Sequence, residues 1–294
     1  MSIFFLKIWF LAIRPKTLAA ALAPVMMGTA MAIGDGVQHF PTALTALLGA
    51  VLIQIGTNLA NDYFDFQKGV DTAMRIGPMR VTQAGLVTPR AMITAMVIVF
   101  SLAVVVCIGL IQRGGWPIVV IGTTAILSGI LYTAGPWPLG YLGLGEFFVI
   151  VFFGMVAVAG TYYVQSLEMN LAIILAGLAP GFFSAAILVV NNIRDIETDR
   201  RSNKRTLAVR FGKSFALSEY LFFILAGALT PILIYCYTQD HIYTLAASLI
   251  SFMAIPIIKI VFTTSDSAHL NHALSATAQL LLIYSIIFSI GWIL

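Results

Sequence analysis

Charged side chains are scarce in this sequence. Of its 294 residues only 10% are charged and 60% are hydrophobic, whereas a soluble domain carries roughly 25% charged residues. This shortage excludes a soluble globular enzyme and a disordered chain, because so apolar a surface is not tolerated in water. A nucleic-acid partner is not expected either.

Cysteine is nearly absent as well. Cys107 and Cys236 are the 2 cysteines present, and each lies within an apolar run. Neither a disulfide framework nor a cysteine-based metal site is therefore expected. The first apolar stretch is not followed by the small-residue cleavage site of a signal peptide, so no segment is expected to be removed.

Long apolar runs are abundant instead. A helix needs about 20 apolar residues to cross the ~30 Å of hydrocarbon in a lipid bilayer, and a window of about 19 residues finds nine such runs. The sequence therefore predicts an all-α, polytopic membrane bundle that forms a single transmembrane domain over residues 1–294. The predicted spans are 14–34, 41–61, 90–110, 116–134, 141–163, 170–193, 213–236, 241–262 and 270–293.

The basic residues indicate the orientation of the bundle. With the N-terminus in the cytoplasm, 15 of the 16 Lys and Arg residues face inward and only Arg113 faces outward, as the positive-inside rule requires. Two long polar links, 62–89 and 194–212, then lie on the cytoplasmic side. The C-terminus is expected on the outside.

Acidic residues concentrate where two predicted spans reach the cytoplasm. At 100° per residue, three polar residues at and just beyond the end of the second span fall within about 60° of one another, and three at and just beyond the end of the sixth fall within about 80°. The Asn-x-x-x-Asp pair of the first set recurs 133 residues later in the second, which suggests an internal duplication with a shared site. We call the sets the first aspartate stripe, Asn58, Asp62 and Asp65, and the second aspartate stripe, Asn191, Asp195 and Asp199.

Two facing acidic stripes near hydrocarbon would repel each other unless a cation lay between them. Oxygen ligands without nearby Cys or His favour Mg²⁺ or Ca²⁺ over Zn²⁺, and Mg²⁺ commonly shares its ligand shell with substrate phosphates. Basic residues of the same two links would clamp a diphosphate that the metal bridges. These residues are Lys68, Arg75, Arg80, Lys204 and Arg205.

The segments that carry these residues resemble a known family. NDYFDFQKGVD (61–71) and DIETDRRSNKRTLAVRFG (195–212) resemble the two aspartate motifs of the UbiA superfamily of intramembrane prenyltransferases. Four further segments resemble its menaquinone branch, the 1,4-dihydroxy-2-naphthoate polyprenyltransferases. They are RPKTL from Arg14, RIGPMRVTQAG from Arg75, YTAGPWPLGYLGLGE from Tyr132 and NNIRDIETDRR from Asn191.

The resemblance covers Arg14 to about Gly212 and agrees with the nine helices typical of the family. It implies a Mg²⁺-dependent enzyme of a bacterial cytoplasmic (inner) membrane that joins a polyprenyl diphosphate to 1,4-dihydroxy-2-naphthoate with loss of carbon dioxide. The product is a demethylmenaquinone, in menaquinone biosynthesis. The oligomeric state and the prenyl chain length are not predicted.

The resemblance also assigns roles to individual residues. Asp62, Asp65, Asp195 and Asp199 are the implied catalytic carboxylates, and they would hold the metal together with Asn61. The family motif expects an aspartate at position 69, where this chain has Gly69, so Asp71 is the candidate for that ligand. The candidates that contact the aromatic acceptor are Arg14, Asn58, Tyr132 and Asn191.

Other functions are weighed against this one. A cation-coupled transporter also has intramembrane carboxylates and half-repeats, but here the carboxylates lie at span ends beside basic links that suit phosphate. A CDP-alcohol phosphotransferase would require Gly where this chain has Phe66. Within the superfamily, the 4-hydroxybenzoate and haem branches share the metal chemistry and differ in the acceptor pocket.

Overall fold

A computed structural model describes residues 3–70, 77 and 79–294, and the regular structure within these residues is helical. The all-α prediction is confirmed. The predicted site residues Asp71 and Arg75 lie outside the described residues. The helices are α1 (Ile3–Ile13), α2 (Pro15–Gly34), α3 (Phe40–Gln67), α4 (Pro89–Gly114), α5 (Trp116–Leu131), α6 (Gly145–Ser166), α7 (Leu171–Arg201), α8 (Leu207–Phe211), α9 (Lys213–Thr238), α10 (Ile242–Thr263) and α11 (Ser267–Ile293).

Eight helices in the described part of the chain are long and apolar enough to cross a membrane. The predicted span 116–134 corresponds to α5, whose 16 residues give about 24 Å at 1.5 Å per residue. This length is somewhat less than the ~30 Å hydrocarbon layer. The two short helices α1 and α8 lie outside the predicted spans, and neither is long enough to span the bilayer.

The aspartate stripes belong to helices that continue past the predicted spans. The structure extends α3 to Gln67 and α7 to Arg201, whereas the predicted spans ended at 61 and 193. All four aspartates of the stripes are therefore held on regular helix. This matters because a helix fixes the direction of each side chain more firmly than a loop does.

The helix boundaries follow from local capping. At the start of α4, Thr88 Oγ1 accepts a hydrogen bond of 3.2 Å from the Ala91 backbone N–H, and Pro89 occupies the first helical turn. Such a cap satisfies a donor that the helix itself leaves unpaired. Gly115, with φ of 70°, ends α4 and permits the sharp reversal into α5, because glycine adopts positive φ without steric cost.

Three packed cores are present among the described residues, and two of them contain most of the buried apolar side chains. The larger one joins α2, α6, α7, α9, α10 and α11 around fully buried aromatic side chains such as Phe183, Tyr220 and Tyr284. The smaller one joins α1, α3 and α4 around Leu59 and Met92. A cavity lies where α2, α6 and α7 face α3, α4 and α5.

Glycine allows α6 and α7 to approach each other closely. A Cβ added at Gly154 would lie 2.4 Å from the carbonyl oxygen of Gly177 and 2.7 Å from the Cα of Gly181, so no larger residue fits there. Helix pairs in membranes rely on such small residues, because lipid offers no hydrophobic force to hold them together. The contact fixes the position of α7, which carries the second aspartate stripe.

Asp35 fastens three helices at the end of the bundle opposite the aspartate stripes. Its carboxylate accepts hydrogen bonds from Tyr162 Oη (2.7 Å) and Trp292 Nε1 (2.9 Å).

We expect Asp35→Ala to lower the free energy of unfolding by about 1–3 kcal/mol, because two donors lose a charged partner. Thermal unfolding in detergent measures this change. The control is Glu168→Ala, since Glu168 is exposed like Asp35 but its hydrogen bonds with Ser166 involve its backbone atoms. Equal destabilisation by both variants would contradict the prediction.

Candidate active site

The four aspartates of the two stripes are buried near the C-terminal ends of α3 and α7. Asp62 is 1% exposed, Asp65 and Asp199 are 5% exposed, and Asp195 is 6% exposed. Carboxylates are rarely buried to this degree without partners, because their desolvation is costly. Their partners therefore define what each one does.

In the first stripe, both aspartates hold the link that follows α3. Asp62 accepts hydrogen bonds of 3.2 Å from the backbone N–H groups of Val81 and Thr82, one to each carboxylate oxygen. Asp65 accepts from Arg80 Nη2 at 3.1 Å and from Tyr141 Oη at 2.8 Å. The end of the first polar link is thereby fixed beside the stripe.

In the second stripe, Arg194 is a partner that the sequence analysis missed. Its guanidinium donates to both oxygens of Asp195, at 2.7 and 2.6 Å, and also to Asn191 Oδ1 and Asn271 Oδ1. Its position directly before Asp195 in the sequence was the available signal. Asp199 is different, because it forms an ion pair with Lys204 at 3.4 Å.

A cavity of about 400 Å³ opens beside the stripes and extends along α3, α4 and α5 into the membrane interior. Asp65, Arg80 and Lys204 line what we call its charged head, and Arg14 and Lys16 are further cationic residues of its wall. Apolar and small residues of α4, α5 and α6 form the part that we call the apolar shaft. Eight of the predicted site residues line this cavity. They are Arg14, Asn58, Asn61, Asp65, Arg80, Tyr132, Asn191 and Lys204.

Lys68 and Arg205 do not line this cavity, although the sequence analysis assigned both to diphosphate binding. Lys68 Nζ donates to the carbonyl oxygens of Thr133 (2.6 Å) and Gly135 (2.9 Å). These bonds hold the Lys68 ammonium group beside a separate surface pocket, which Lys68 and Arg205 both line. Burial lowers the pKa of Lys68, and the nearby Asp65 carboxylate partly opposes that shift.

The predicted acceptor residues occupy different parts of the cavity wall. Asn58 Nδ2 donates to the Ile13 carbonyl (2.8 Å) and to Thr17 Oγ1 (2.9 Å), so it holds the corner between α1 and α2. Arg14 lies at that corner, with φ of 55°. Asn61 Oδ1 accepts from Thr133 Oγ1 at 3.1 Å.

Tyr132 lines the cavity and packs against the start of α6. A Cβ added at Gly145 would lie 2.8 Å from the Tyr132 hydroxyl oxygen, and Glu146 is the next residue of that helix. Glu146 is 4% exposed and accepts a hydrogen bond of 2.8 Å from Asn192 Nδ2. Glu146 was not among the predicted site residues. It is the lone acidic residue of the predicted span 141–163, and intramembrane acids commonly mark a site.

The described residues include no cluster of three or more Asp, Glu, His or Cys side chains arranged to hold a metal ion. Basic groups pair with the carboxylates instead, as in the contacts of Arg80 with Asp65 and Lys204 with Asp199. The head of the cavity thus combines buried carboxylates with cationic side chains. Such a site suits a ligand that carries both metal ions and phosphate.

The family model of the UbiA prenyltransferase family matches residues 21–288. The chain belongs to this family. It is 35% identical to the 1,4-dihydroxy-2-naphthoate octaprenyltransferase of Haemophilus influenzae, over 97% of this chain and 96% of that protein. It is 36% identical to the enzyme of the same name from Escherichia coli, over 96% of this chain and 94% of that protein.

Solved structures of this family share the fold. A UbiA homologue from Archaeoglobus fulgidus bound to GPP and Mg²⁺ superimposes with a TM-score of 0.65 at 16% identity, covering 96% of this chain and 99% of that one. The apo structure of a UbiA homologue from Aeropyrum pernix gives a TM-score of 0.70 at 12% identity, covering 92% and 96%. The UbiA membrane bundle predicted from the sequence is therefore confirmed.

Proposed function

We propose that this chain transfers a polyprenyl group from a polyprenyl diphosphate to 1,4-dihydroxy-2-naphthoate, with loss of carbon dioxide, and so forms demethylmenaquinone. The observation that carries the proposal is the cavity, whose charged head lies beside both aspartate stripes and whose shaft is apolar. The names of the curated relatives favour this acceptor. A single transmembrane domain carries the whole site.

Asn61 and Asp65 line the head of the cavity, Asp199 lies beside it through its ion pair with Lys204, and these residues fit Mg²⁺. The Asp65 and Asp199 carboxylates and the amide oxygen of Asn61 are hard donors, and Mg²⁺ prefers such donors. Asp199 Oδ2 is buried, so the group lies away from bulk water. These three residues, with Asp62 and Asp195 behind them, would hold the ion. When bound, it would draw negative charge from the diphosphate leaving group.

The basic residues have a separate task. Arg80 and Lys204 pair with Asp65 and Asp199, and the same two side chains line the cavity. They would turn toward the diphosphate when the carboxylates engage a metal, because guanidinium and ammonium groups bind phosphate oxygens strongly. This exchange would position the allylic carbon at the head of the apolar shaft.

The transfer requires that water be kept away from the reacting carbon atoms. The allylic C–O bond breaks and its electron pair leaves with the diphosphate, and a C–C bond forms at the ring carbon that bears the carboxyl group. The bond between the ring carbon and the carboxylate then breaks, carbon dioxide leaves, and the electron pair of that bond returns to the ring. The product is the quinol form of demethylmenaquinone. The apolar shaft would exclude water from the carbocation, and the ring face of Tyr132 would stabilise it.

Acceptor choice tests this proposal. Membranes that contain the protein, Mg²⁺ and a polyprenyl diphosphate should convert 1,4-dihydroxy-2-naphthoate and release carbon dioxide, while 4-hydroxybenzoate should be a poor substrate. Product mass identifies the reaction.

We expect Arg14→Ala to raise the KM for the naphthoate by about tenfold or more and the KM for the diphosphate far less, because Arg14 would pair with the acceptor carboxylate.

The alternative acceptor gives an opposite result. A larger ring system contributes only about 1 kcal/mol through a few tens of Å² of apolar area at ~25 cal/mol per Å², so placement of the carboxylate has to supply most of the selectivity. Efficient prenylation of 4-hydroxybenzoate with its carboxyl group retained would assign the chain to the other branch.

The protein is a multi-pass membrane protein, and we propose that its site faces the cytoplasm of a bacterium. In a Cys236→Ser background, which removes the exposed native thiol, single cysteines at Gly77 and Ser202 should react with impermeant reagents from the cytoplasmic side. A cysteine at Asp240 should react from the outside. Labelling of Gly77 and Ser202 from opposite faces would contradict a shared site.

A further inference from the structure

A second pocket of about 430 Å³ opens on the cytoplasmic surface, between the segment that follows α5 and the link between α7 and α8. Three cationic residues, Lys68, Arg205 and Arg210, line it together with the aromatic residues Trp137 and Tyr141. No acidic residue is present among its described lining residues. A pocket with this lining attracts anions.

Hydrogen bonds hold the walls of this pocket in place. The Arg205 backbone N–H donates to the Tyr141 carbonyl at 3.0 Å, and Arg210 Nε donates to the Arg205 carbonyl at 3.0 Å. Lys68 Nζ lies 4.8 Å from the centre of the Tyr141 ring. The pocket is therefore a fixed structure built from three separate parts of the chain, which are Lys68, residues 135–142 and residues 202–210.

Arg205 and Arg210 take part in none of the ion pairs found among the described residues. Those pairs join Arg80, Arg194, Arg200, Lys204 and His269 to acids. Tyr141 separates this pocket from the active-site cavity, because its hydroxyl donates to Asp65 while the residue also lines the pocket. The two sites therefore share a wall and remain separate.

We propose that this pocket is a second anion site that binds a phosphate group, apart from the active-site cavity. The guanidinium groups of Arg205 and Arg210 would bind phosphate oxygens. Trp137 is 76% exposed, as suits a side chain at the level of lipid headgroups. The phosphate belongs either to an anionic phospholipid or to a free phosphate in the cytoplasm.

Two arms distinguish these sources. In the first arm, inorganic phosphate is titrated, in the absence of Mg²⁺, into the full-length protein in phosphatidylcholine nanodiscs, and binding is followed by thermal stabilisation. In the second arm, the nanodiscs contain phosphatidylglycerol, and native mass spectrometry counts the retained lipid. We expect Arg210→Ala to weaken binding in the productive arm by about tenfold, the loss of one charge-assisted contact. The matched control is Arg201→Ala, an exposed arginine outside the pocket.

A second variant, Asn203→Asp, tests the same pocket in case Arg210→Ala fails to fold. Asn203 lines the pocket with φ of 57°, a conformation that Asp also tolerates, so Asn203→Asp adds a negative charge with little strain. It should weaken binding as Arg210→Ala does. Binding in either arm that both variants weaken supports the site and identifies the source. The proposal is overturned if neither arm shows binding, if both variants bind like wild type, or if Arg201→Ala weakens binding equally.

Discussion

Asp65→Asn is expected to reduce turnover by about two to three orders of magnitude, which is typical for loss of one electrostatic group at a reacting centre. The substitution keeps the size of the side chain and removes the negative charge that would hold Mg²⁺ and that now pairs with Arg80. Asp65 lines the cavity directly, so the loss acts at the site itself. Product formation from a polyprenyl diphosphate and 1,4-dihydroxy-2-naphthoate measures it.

The matched control is Glu197→Gln on α7. Glu197 is an acid whose side chain is 68% exposed and pairs with Arg200 at the surface, so its replacement should leave turnover within about twofold, since exposed pairs contribute little. Thermal unfolding of both variants separates loss of chemistry from loss of folding. Turnover of a folded Asp65→Asn protein close to that of wild type would remove Asp65 from the proposed metal site.

Gly122→Leu is expected to reduce kcat/KM for a long polyprenyl diphosphate by about tenfold or more, while geranyl diphosphate is used nearly as well as by wild type. Gly122 lines the cavity and lies about 15 Å along α5 from Tyr132, ten residues away at 1.5 Å each. A leucine there would fill the apolar shaft where a long chain passes and a short chain does not reach. Overpacking typically costs about 1–3 kcal/mol.

Gly109→Leu supplies the control for this substitution. Gly109 lies on the adjacent helix α4, is exposed on its outer face and has no atoms within 4 Å of an added Cβ. Both variants make the same chemical change in a membrane helix, but only Gly122→Leu fills the cavity. Equal loss with long and short diphosphates, or equal loss in both variants, would show that Gly122 does not border the path of the chain.

The four aspartates of the stripes have similar spacing in the sequence, but the structure gives them different partners. Asp62 binds the backbone N–H groups of Val81 and Thr82, so Asp62→Asn would disturb the link as well as the metal site. Asp195 is already neutralised by Arg194. Asp65 and Asp199 have cationic partners from the two polar links. These partners lie up to 15 residues away, as for Asp65 and Arg80, and local spacing cannot identify them.

Much of this protein is determined by its sequence alone. Hydropathy and helical periodicity are local properties, and in lipid a chain must satisfy its backbone hydrogen bonds within each helix. The membrane bundle and the two aspartate stripes were therefore predictable from runs of apolar residues and from the spacing of Asp62, Asp65, Asp195 and Asp199. The family resemblance was visible in the same segments.

The tertiary structure decided which of these residues meet. Lys204 lines the cavity, whereas its neighbour Arg205 lines the second pocket, because the link between α7 and α8 is fixed by a backbone hydrogen bond to Tyr141. Glu146 lies near Tyr132 because the preceding residue, Gly145, packs against the Tyr132 hydroxyl at the start of α6. Such pairings depend on how distant helices pack and on where links cross them, and neither hydropathy nor spacing encodes that.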